Sequence, residues 1–312
     1  ESSFGRSFPR FYIRGLGNQD FDLNASQPVS LIYDDVVQES PILKGFPVFD
    51  VESVEVLRGP QGTLFGRNTP AGLVKFTSKR PTQDFGGYFS ASYGSLNTLS
   101  TQGALSGGLT DTLSVRVSLL NQTRDDYIDT QAPGFEEKDV LGGYDDRAAK
   151  VQVLYEPSDK LSALFNYHTR DLDGTPTVFR ASAIKPGTNN FVENFDRNIV
   201  YQDAAQRATQ SVKVDGGSYT SVTGYESVEM FSRADVDGGY RVSSFGDPSG
   251  YTGELGTVPL FSVESADGIP EHSQFTQEFR IASNELGRFD YQAGAFFFTE
   301  DLDIDTFHYN ED

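Results

Sequence analysis

The chain has 312 residues, enough for one to three domains. It holds 31 Gly, 25 Phe and 15 Tyr but a single Met, and this composition favours strands over helices. The absence of Cys excludes disulfides, thiol catalysis and Cys-based metal sites. A net charge of −20 argues against nucleic acid as the main partner. The first residues also lack the basic and apolar regions of a signal peptide.

The first predicted elements are two short strands that each end in arginine followed by glycine. Arg14 ends the first in "FYIRG", and Arg58 ends the second in "VEVLRG". The segment after Arg58 is rich in Gly and Pro, but a phosphate-binding loop requires Gly-Lys-Ser/Thr before a helix. Here Gly66 is followed by Arg-Asn, with no helical pattern behind it. We therefore predict a turn and a returning strand, "GLVKFTSK", at 72–79.

From residue 85 onward, apolar and polar residues alternate with the period of two that is typical of strands. In one clear case Leu113, Val115 and Val117 share a face, opposite Ser114 and Arg116. The pattern predicts nine strands, at about 85–95, 97–109, 112–124, 147–156, 161–170, 207–215, 218–234, 273–284 and 289–304.

The connections between these strands alternate in length after the first hairpin. Short turns alternate with three long loops, at 125–146, 171–206 and 235–272. In an antiparallel meander this places all long loops at one end, as in an outer-membrane barrel. In these loops acidic residues outnumber basic ones several-fold. Simple solvation and a role in binding a ligand or a cation both remain open for them.

Three segments of the N-terminal part carry a family resemblance. They are "FYIRGLG" at 11–17, "VSLIYDDV" at 29–36 and "FDVESVEVLRGPQGTLFGRNTPAGLVKFTSKRP" at 49–81. Together they resemble the plug domain of TonB-dependent outer-membrane receptors. The later strand rhythm is consistent with the barrel of that family.

The resemblance implies a mostly β fold, with a small mixed plug domain followed by an antiparallel transmembrane β-barrel portion. Residues 1–82 would be the C-terminal part of the plug, and residues 83–312 the N-terminal part of the barrel. Nine strands are a portion of a barrel of about 22 strands, the size of plugged outer-membrane transporters. Since single-chain bacterial barrels have even strand numbers, we expect the chain to be incomplete. We also expect it to lack the first plug strands and the TonB box.

The resemblance further implies an active importer in the outer membrane rather than an enzyme. Its partners would be TonB, the outer-membrane lipid and a large scarce substrate, most often a ferric siderophore in this family. No cofactor, no metal site and no catalytic residue is expected. Three histidines lack metal-binding spacing, and "DLDGT" and "DVDGG" resemble only the start of a calcium loop.

Two sets of site residues follow from the resemblance. Arg14 and Arg58 match plug arginines that form a latch with barrel glutamates, which in the family lie on later strands. The outward loops of the plug would carry the substrate-facing residues. These are Asn18, Gln19, Asp20, Gln38 and Glu39.

Two other functions remain open from the residues alone. The first is a secreted or surface-exposed β-rich binding module that uses its acidic loops for interaction. The second is an enzyme with paired carboxylates, although no nucleophile and base show a recognisable spacing. An apolar band on alternate strand faces would exclude the soluble module.

Overall fold

The computed structural model describes residues 5–18, 22–62, 69–130, 137–175, 201–215, 219–235, 264–282 and 291–309. Regular structure in these ranges is almost entirely β, with two 3-10 segments at Gly5–Ser7 and Leu43–Gly45. The predicted mostly β fold class is confirmed. No helix in the described ranges is long and apolar enough to cross a membrane.

Residues 5–78, here called the plug region, contain a four-stranded mixed sheet, the small sheet. Its strands are β1 (Val29–Tyr33), β2 (Val36–Gln38), β3 (Val51–Arg58) and β4 (Gly72–Ser78). The order is β2-β1-β4-β3, with β1 and β4 parallel and the other pairs antiparallel. The two strands predicted around the Gly- and Pro-rich turn are thus confirmed as β3 and β4. Residues 63–68 of that turn lie outside the described residues.

A two-residue turn joins β1 to β2. Asp34 and Asp35 have φ values of 48° and 71°, as the type I′ turns of tight hairpins require. The Asp34 carboxylate accepts hydrogen bonds from the backbone N and the Oγ of Ser78, both at 2.7 Å. The turn is therefore fixed to the end of β4.

The prediction of a short strand ending at Arg14 is wrong. Ile13 and Leu16 form an isolated antiparallel bridge, with backbone hydrogen bonds of 2.9 and 3.0 Å. Arg14 and Gly15 make the tight turn between them, with φ values of 51° and 80°. Gly15 permits this turn because glycine adopts positive φ without steric cost.

The remaining strands follow in chain order. They are β5 (Gly86–Tyr93), β6 (Leu99–Thr110), β7 (Leu113–Arg124), β8 (Ile128–Thr130), β9 (Glu137–Leu141), β10 (Tyr144–Ser158), β11 (Leu161–Gly174), β12 (Tyr201–Asp215), β13 (Tyr219–Asp235), β14 (Glu264–Ala282) and β15 (Gln292–Tyr309). Nine of them form one antiparallel sheet, the large sheet, in the order β5-β6-β7-β10-β11-β12-β13-β14-β15. β8 and β9, which lie between β7 and β10 in the sequence, form a separate two-stranded antiparallel sheet. All nine predicted strands are therefore confirmed.

Several strands extend further into the predicted long loops than the sequence indicates. β12 starts at Tyr201 and β14 at Glu264, whereas the alternation predicts starts near 207 and 273. The added residues include Asp203, Asp267 and Glu271. A strand with polar residues on both faces gives no period-2 signal, so its outer end is missed.

The two faces of the large sheet differ in character, as β7 illustrates. Ser114, Arg116 and Ser118 are buried against the plug region, at 1%, 7% and 1% exposure. Val117 and Leu119 on the opposite face are 38% and 57% exposed. The inner face is thus polar and covered, and the outer face is apolar and open, as predicted for β7.

Apolar contacts join the plug region to the inner face of the large sheet. One cluster combines plug and sheet residues: Phe8, Leu23, Ile42 and Leu43 with Leu172, Val228, Met230 and Ile269. A second is built mainly from plug residues and reaches Leu120 and Ala148 of the sheet: its plug members are Leu31, Tyr33, Phe46, Phe49 and Phe76. These clusters set the position of the plug region against the sheet, and polar contacts surround them.

Candidate functional site

The end of β2 lies in the interface between the plug region and the large sheet. Gln38 and Glu39, predicted to face substrate, are 3% and 7% exposed. Gln38 Nε2 donates to Glu226 Oε1 at 2.8 Å, and the backbone N of Glu39 donates to Gln274 Oε1 at 3.0 Å. Gln274 Nε2 in turn donates to the carbonyl of Val37 at 2.6 Å. A ligand can therefore reach these two residues only where the interface opens.

Asn18, another predicted substrate-facing residue, is connected to Glu39 through Ser26. Asn18 Nδ2 donates to the Ser26 carbonyl at 3.2 Å, and Ser26 Oγ donates to Glu39 Oε1 at 3.4 Å. The structure thus brings together two loops that are distant in sequence. Gln19 and Asp20 lie outside the described residues.

Lys44, which the sequence analysis does not identify, is buried next to this group at 4% exposure. Its Nζ is 3.5 Å from Gln27 Oε1 and 3.4 Å from the Val29 carbonyl. Burial lowers the pKa of Lys44 to about 8, and the carboxylates of Glu39 and Glu300 oppose that shift. Sequence reasoning has no signal for it, because a lysine in "ILKGF" is expected at the surface.

The predicted latch arginines are both exposed. Arg58 ends β3 and pairs with Gly72 on β4. A Cβ at Gly72 would lie 3.0 Å from Ile13 Cδ1 and 3.2 Å from Arg58 Cα. Since Arg14 follows Ile13 directly, the two arginines belong to the same end of the small sheet.

Asp50 is a buried charged anchor that the sequence analysis missed. Arg116 of β7 donates to its two carboxylate oxygens, at 2.7 Å from Nε and 2.5 Å from Nη2. Ser118 Oγ donates to the same carboxylate. Burial acts to raise the pKa of Asp50, but the hydrogen bonds from Arg116 and Ser118 outweigh it and hold the pKa below its usual value.

A second buried anchor is centred on Lys150 of β10, which is 0% exposed. Its Nζ donates to Ser78 Oγ at 2.6 Å and lies 3.3 Å from Tyr33 Oη and 3.4 Å from the Phe49 carbonyl. Three separate parts of the plug region therefore meet at one ammonium group. The period-2 pattern assigns Lys150 only to one face of its strand. It does not indicate that the side chain contacts three partners in the plug region.

A third anchor lies at the end of the large sheet that carries the long loops. Asp146 of β10 is fully buried and accepts hydrogen bonds from Arg170 and from Arg6. Arg170 also donates to the Gly45 carbonyl at 2.7 Å. The three anchors hold the plug region by charge-assisted hydrogen bonds, which are roughly twice as strong as neutral ones. No group of three or more metal-ligating side chains occurs among the described residues.

A small mixed sheet that packs on the polar face of an antiparallel sheet, whose other face is apolar, is the arrangement expected for part of a plugged transmembrane barrel. Residues 1–73 match the family model of the TonB-dependent Receptor Plug Domain. The N-terminal part is therefore a plug domain of this family.

Two curated relatives have related sequences. The pesticin receptor of Yersinia pestis is 31% identical over 162 residues, which are 51% of this chain and 23% of the receptor. The ferrioxamine B receptor of Salmonella typhimurium is 35% identical over 88 residues, 28% of this chain and 12% of that protein. The chain thus covers less than a quarter of each relative.

Solved structures share the fold. The ferric-catecholate import receptor Fiu of E. coli K12 in its open form has a TM-score of 0.63 at 18% identity, covering 96% of this chain and 44% of that one. The ferric yersiniabactin uptake receptor FyuA of Yersinia pestis has a TM-score of 0.53 at 19% identity, covering 99% and 56%. At such identities the likeness establishes the fold alone.

Proposed function

We propose that the protein is an outer-membrane receptor that binds a ferric siderophore and imports it with energy delivered by TonB. The observation that carries the proposal is the plug region itself, which lies on the lumen face of the sheet and would block passage through a barrel. The name of one relative, the ferrioxamine B receptor, supports a large iron-chelate substrate. In this proposal the protein is a transporter and not an enzyme.

The proposed domain division is the one expected from the sequence, with the plug at 1–82 and barrel strands from 83. The proposed substrate contacts are the plug residues Asn18, Gln19, Asp20, Gln38 and Glu39. Asn18 and Glu39 are favoured by their connection through Ser26. Burial of Gln38 and Glu39 implies that they contact substrate after the adjoining interface has loosened.

The proposed latch is formed by Arg14 and Arg58 with carboxylates of later barrel strands. The exposure of both arginines, at one end of the small sheet, supports this role. The secreted binding module does not fit the outer face of the large sheet, where large apolar side chains are exposed. Examples are Phe89, Leu105, Leu119, Phe279 and Phe297, at 76%, 60%, 57%, 56% and 58% exposure.

Transport assays in the producing bacterium test the proposal. Uptake of radioactive iron from a panel of ferric siderophores is measured under iron starvation, with and without the receptor. Loss of uptake of one chelate on deletion of the receptor, and equal loss on deletion of TonB, is expected. Uptake that continues unchanged without TonB would overturn the proposal.

A further inference from the structure

Two glutamines on the inner face of the large sheet are equally buried but differ in their hydrogen bonding. Gln274 of β14 and Gln152 of β10 are each 1% exposed. Both amide atoms of Gln274 are bonded to the plug backbone, at the N of Glu39 and the carbonyl of Val37. Neither amide atom of Gln152 has a hydrogen-bond partner in the described part of the chain, and both are closed to a water-sized molecule. The amide of Gln152 is therefore an unfavourable group beneath the plug region.

A partner for Gln152 is available in the side chain of Asn166. The two residues are directly opposite each other on β10 and β11, and both are buried on the inner face. Cβ atoms at such positions are about 4.5–5.5 Å apart, so the two amide groups can reach each other. Asn166 instead donates from Nδ2 to Asp34 Oδ2 of the plug region at 2.7 Å, and its Oδ1 has no partner among the described residues. The docked plug region thus directs Asn166 away from Gln152.

The contact between Asn166 and Asp34 can be broken without leaving the plug carboxylate unpaired. Asp34 Oδ2 also accepts a hydrogen bond from Ser78 Oγ, and Oδ1 accepts one from the backbone N of Ser78, both at 2.7 Å. Ser78 belongs to the plug region, so Asp34 keeps these bonds when the plug region is displaced. Asp50 and Arg116 differ, because each would lose its charged partner. The contact of Asn166 with Asp34 is therefore an exchangeable one.

We propose that Gln152 competes with Asp34 for Asn166, and so lowers the free energy needed to displace the plug region from β10 and β11. With the plug region docked, Asn166 is bonded to Asp34 rather than to Gln152. With the plug region displaced, Asn166 and Gln152 form an amide–amide pair within the large sheet, while Asp34 stays bonded to Ser78. The pair is thus a two-state element of the sheet itself, whichever substrate the protein carries.

Gln152→Met tests the competition in the purified full-length receptor, because Met has nearly the same volume and no amide. The docked state then contains no unfavourable amide, and the displaced state gains no amide pair. Amide hydrogen exchange in residues 29–35 and 74–78, which contain Asp34 and Ser78, should slow roughly tenfold. Unchanged exchange would show that the amide of Gln152 opposes nothing, and faster exchange would show that it is bonded in the docked state. Either result overturns the proposal.

Gln274→Met is the matched control, since Gln274 is equally buried on the same face of the sheet. This substitution removes two hydrogen bonds to the plug backbone, so exchange in residues 37–41 should become faster. The two variants delete the same chemical group and should change exchange in opposite directions. Slower exchange in both would contradict the proposal, because removal of any buried amide would then explain the effect.

A second background separates competition for Asn166 from a general effect of an unfavourable amide. Asp34→Ala releases Asn166 while the plug region is docked, so a crystal structure of this variant should show a hydrogen bond between Asn166 and Gln152. In the same background, Gln152→Met should no longer slow the exchange, because Gln152 is then paired in both states. Slowing that persists without Asp34, or an Asn166 that does not bond to Gln152, refutes the competition.

Discussion

Substitution of Asp50 reports how firmly the plug region is held against the large sheet. Asp50→Asn leaves Arg116 buried without its charged partner, which typically costs about 3 kcal/mol. We expect the plug region to lose hydrogen-exchange protection at a lower urea concentration in the purified receptor. Asp145→Asn is the control, since the Asp145–Arg147 pair is exposed. An unchanged urea midpoint for Asp50→Asn would show that this anchor does not stabilise the plug region.

The lowered pKa of Lys44 predicts that the stability of the plug region depends on pH in the alkaline range. Its folded pKa is about 8 and its ordinary value is 10.5, so the unfolded chain binds the proton more tightly. Stability should therefore increase as the pH rises from about 8 to about 10.5, and be lowest below that window. Lys44→Met should remove this dependence and stabilise the plug region near neutral pH by roughly 1–3 kcal/mol. The measurement is the urea midpoint at pH 7 and pH 10.

The pH dependence of Asp50 has the opposite sign. Its folded pKa is depressed, so its contribution is fully present above its ordinary pKa of about 4. The contribution is lost as the pH falls through the depressed folded value. Asp50→Asn therefore serves as the variant in which the acid part of the profile, but not the alkaline part, becomes flatter.

At the scale of elements, the β1–β2 hairpin fits the wall of the large sheet closely. Gly224 of β13 faces this hairpin, and a Cβ there would come within 2.6 Å of Val36 Cγ1 and 2.7 Å of Thr276 Oγ1. Val36 is 1% exposed and stiff because it is β-branched. Gly224→Leu should displace the hairpin and raise amide exchange in residues 29–38. Gly86→Leu is the control, because no atom lies within 4 Å of a Cβ there.

The outer face of β13 shows how polar side chains are accommodated on the side of the large sheet that faces away from the plug region. Since Gly224 faces the plug region, Thr223 points to the other side. Thr223 Oγ1 donates to Gln277 Oε1 at 2.7 Å, and Gln277 Nε2 donates to Ser221 Oγ at 3.1 Å. Polar groups facing lipid are costly unless they are hydrogen-bonded. Mutual bonding makes this group compatible with a membrane-facing surface.

The sequence predicts a strand well where its two faces differ in polarity. Every strand of the large sheet has such alternation over its central part, and all nine were found. The alternation ends where strands such as β14 become polar on both sides, so their outer ends were not predicted. The turn at Arg14 was also missed, because its two backbone bonds between Ile13 and Leu16 leave no periodic pattern.

The anchors were not predictable for a different reason. Arg116, Lys150 and Asp146 could be assigned to the polar face of their strands by alternation alone. Their partners come from the plug region, at separations of 66 residues for Asp50 and 140 for Arg6. A single sequence gives no register between two sheets, so such pairs become visible only in the structure.

At the scale of the whole molecule, the large sheet has the dimensions of a membrane-spanning surface. β7 has 12 residues and β14 has 19, and about 9–11 tilted residues cross the hydrocarbon. Strands this long reach beyond the bilayer on the long-loop side. The plug region contacts only the polar face, so the charged anchors are separated from lipid by the sheet itself.

The whole-molecule prediction concerns the part of the plug region that the large sheet does not cover. Val54 and Val56 of β3 are 51% and 54% exposed, and Arg14 and Arg58 lie at the end of this surface. If later barrel strands supply carboxylates here, Arg58→Ala should loosen the plug, lower the melting temperature in detergent and reduce transport. Arg14→Ala should act in the same direction. The double variant should be less than additive if both arginines share carboxylate partners.

The matched control for the latch is Arg147→Ala, which removes an exposed arginine from the outer face of the large sheet. It should leave melting and transport unchanged. The two outcomes differ because the latch acts across the plug–barrel interface, whereas the ion pair of Arg147 in the described part of the chain is with its strand neighbour Asp145 on the outer face. Unchanged melting together with unchanged transport in Arg58→Ala would refute the latch. The three anchors to the large sheet would then be the principal charged contacts that hold the plug.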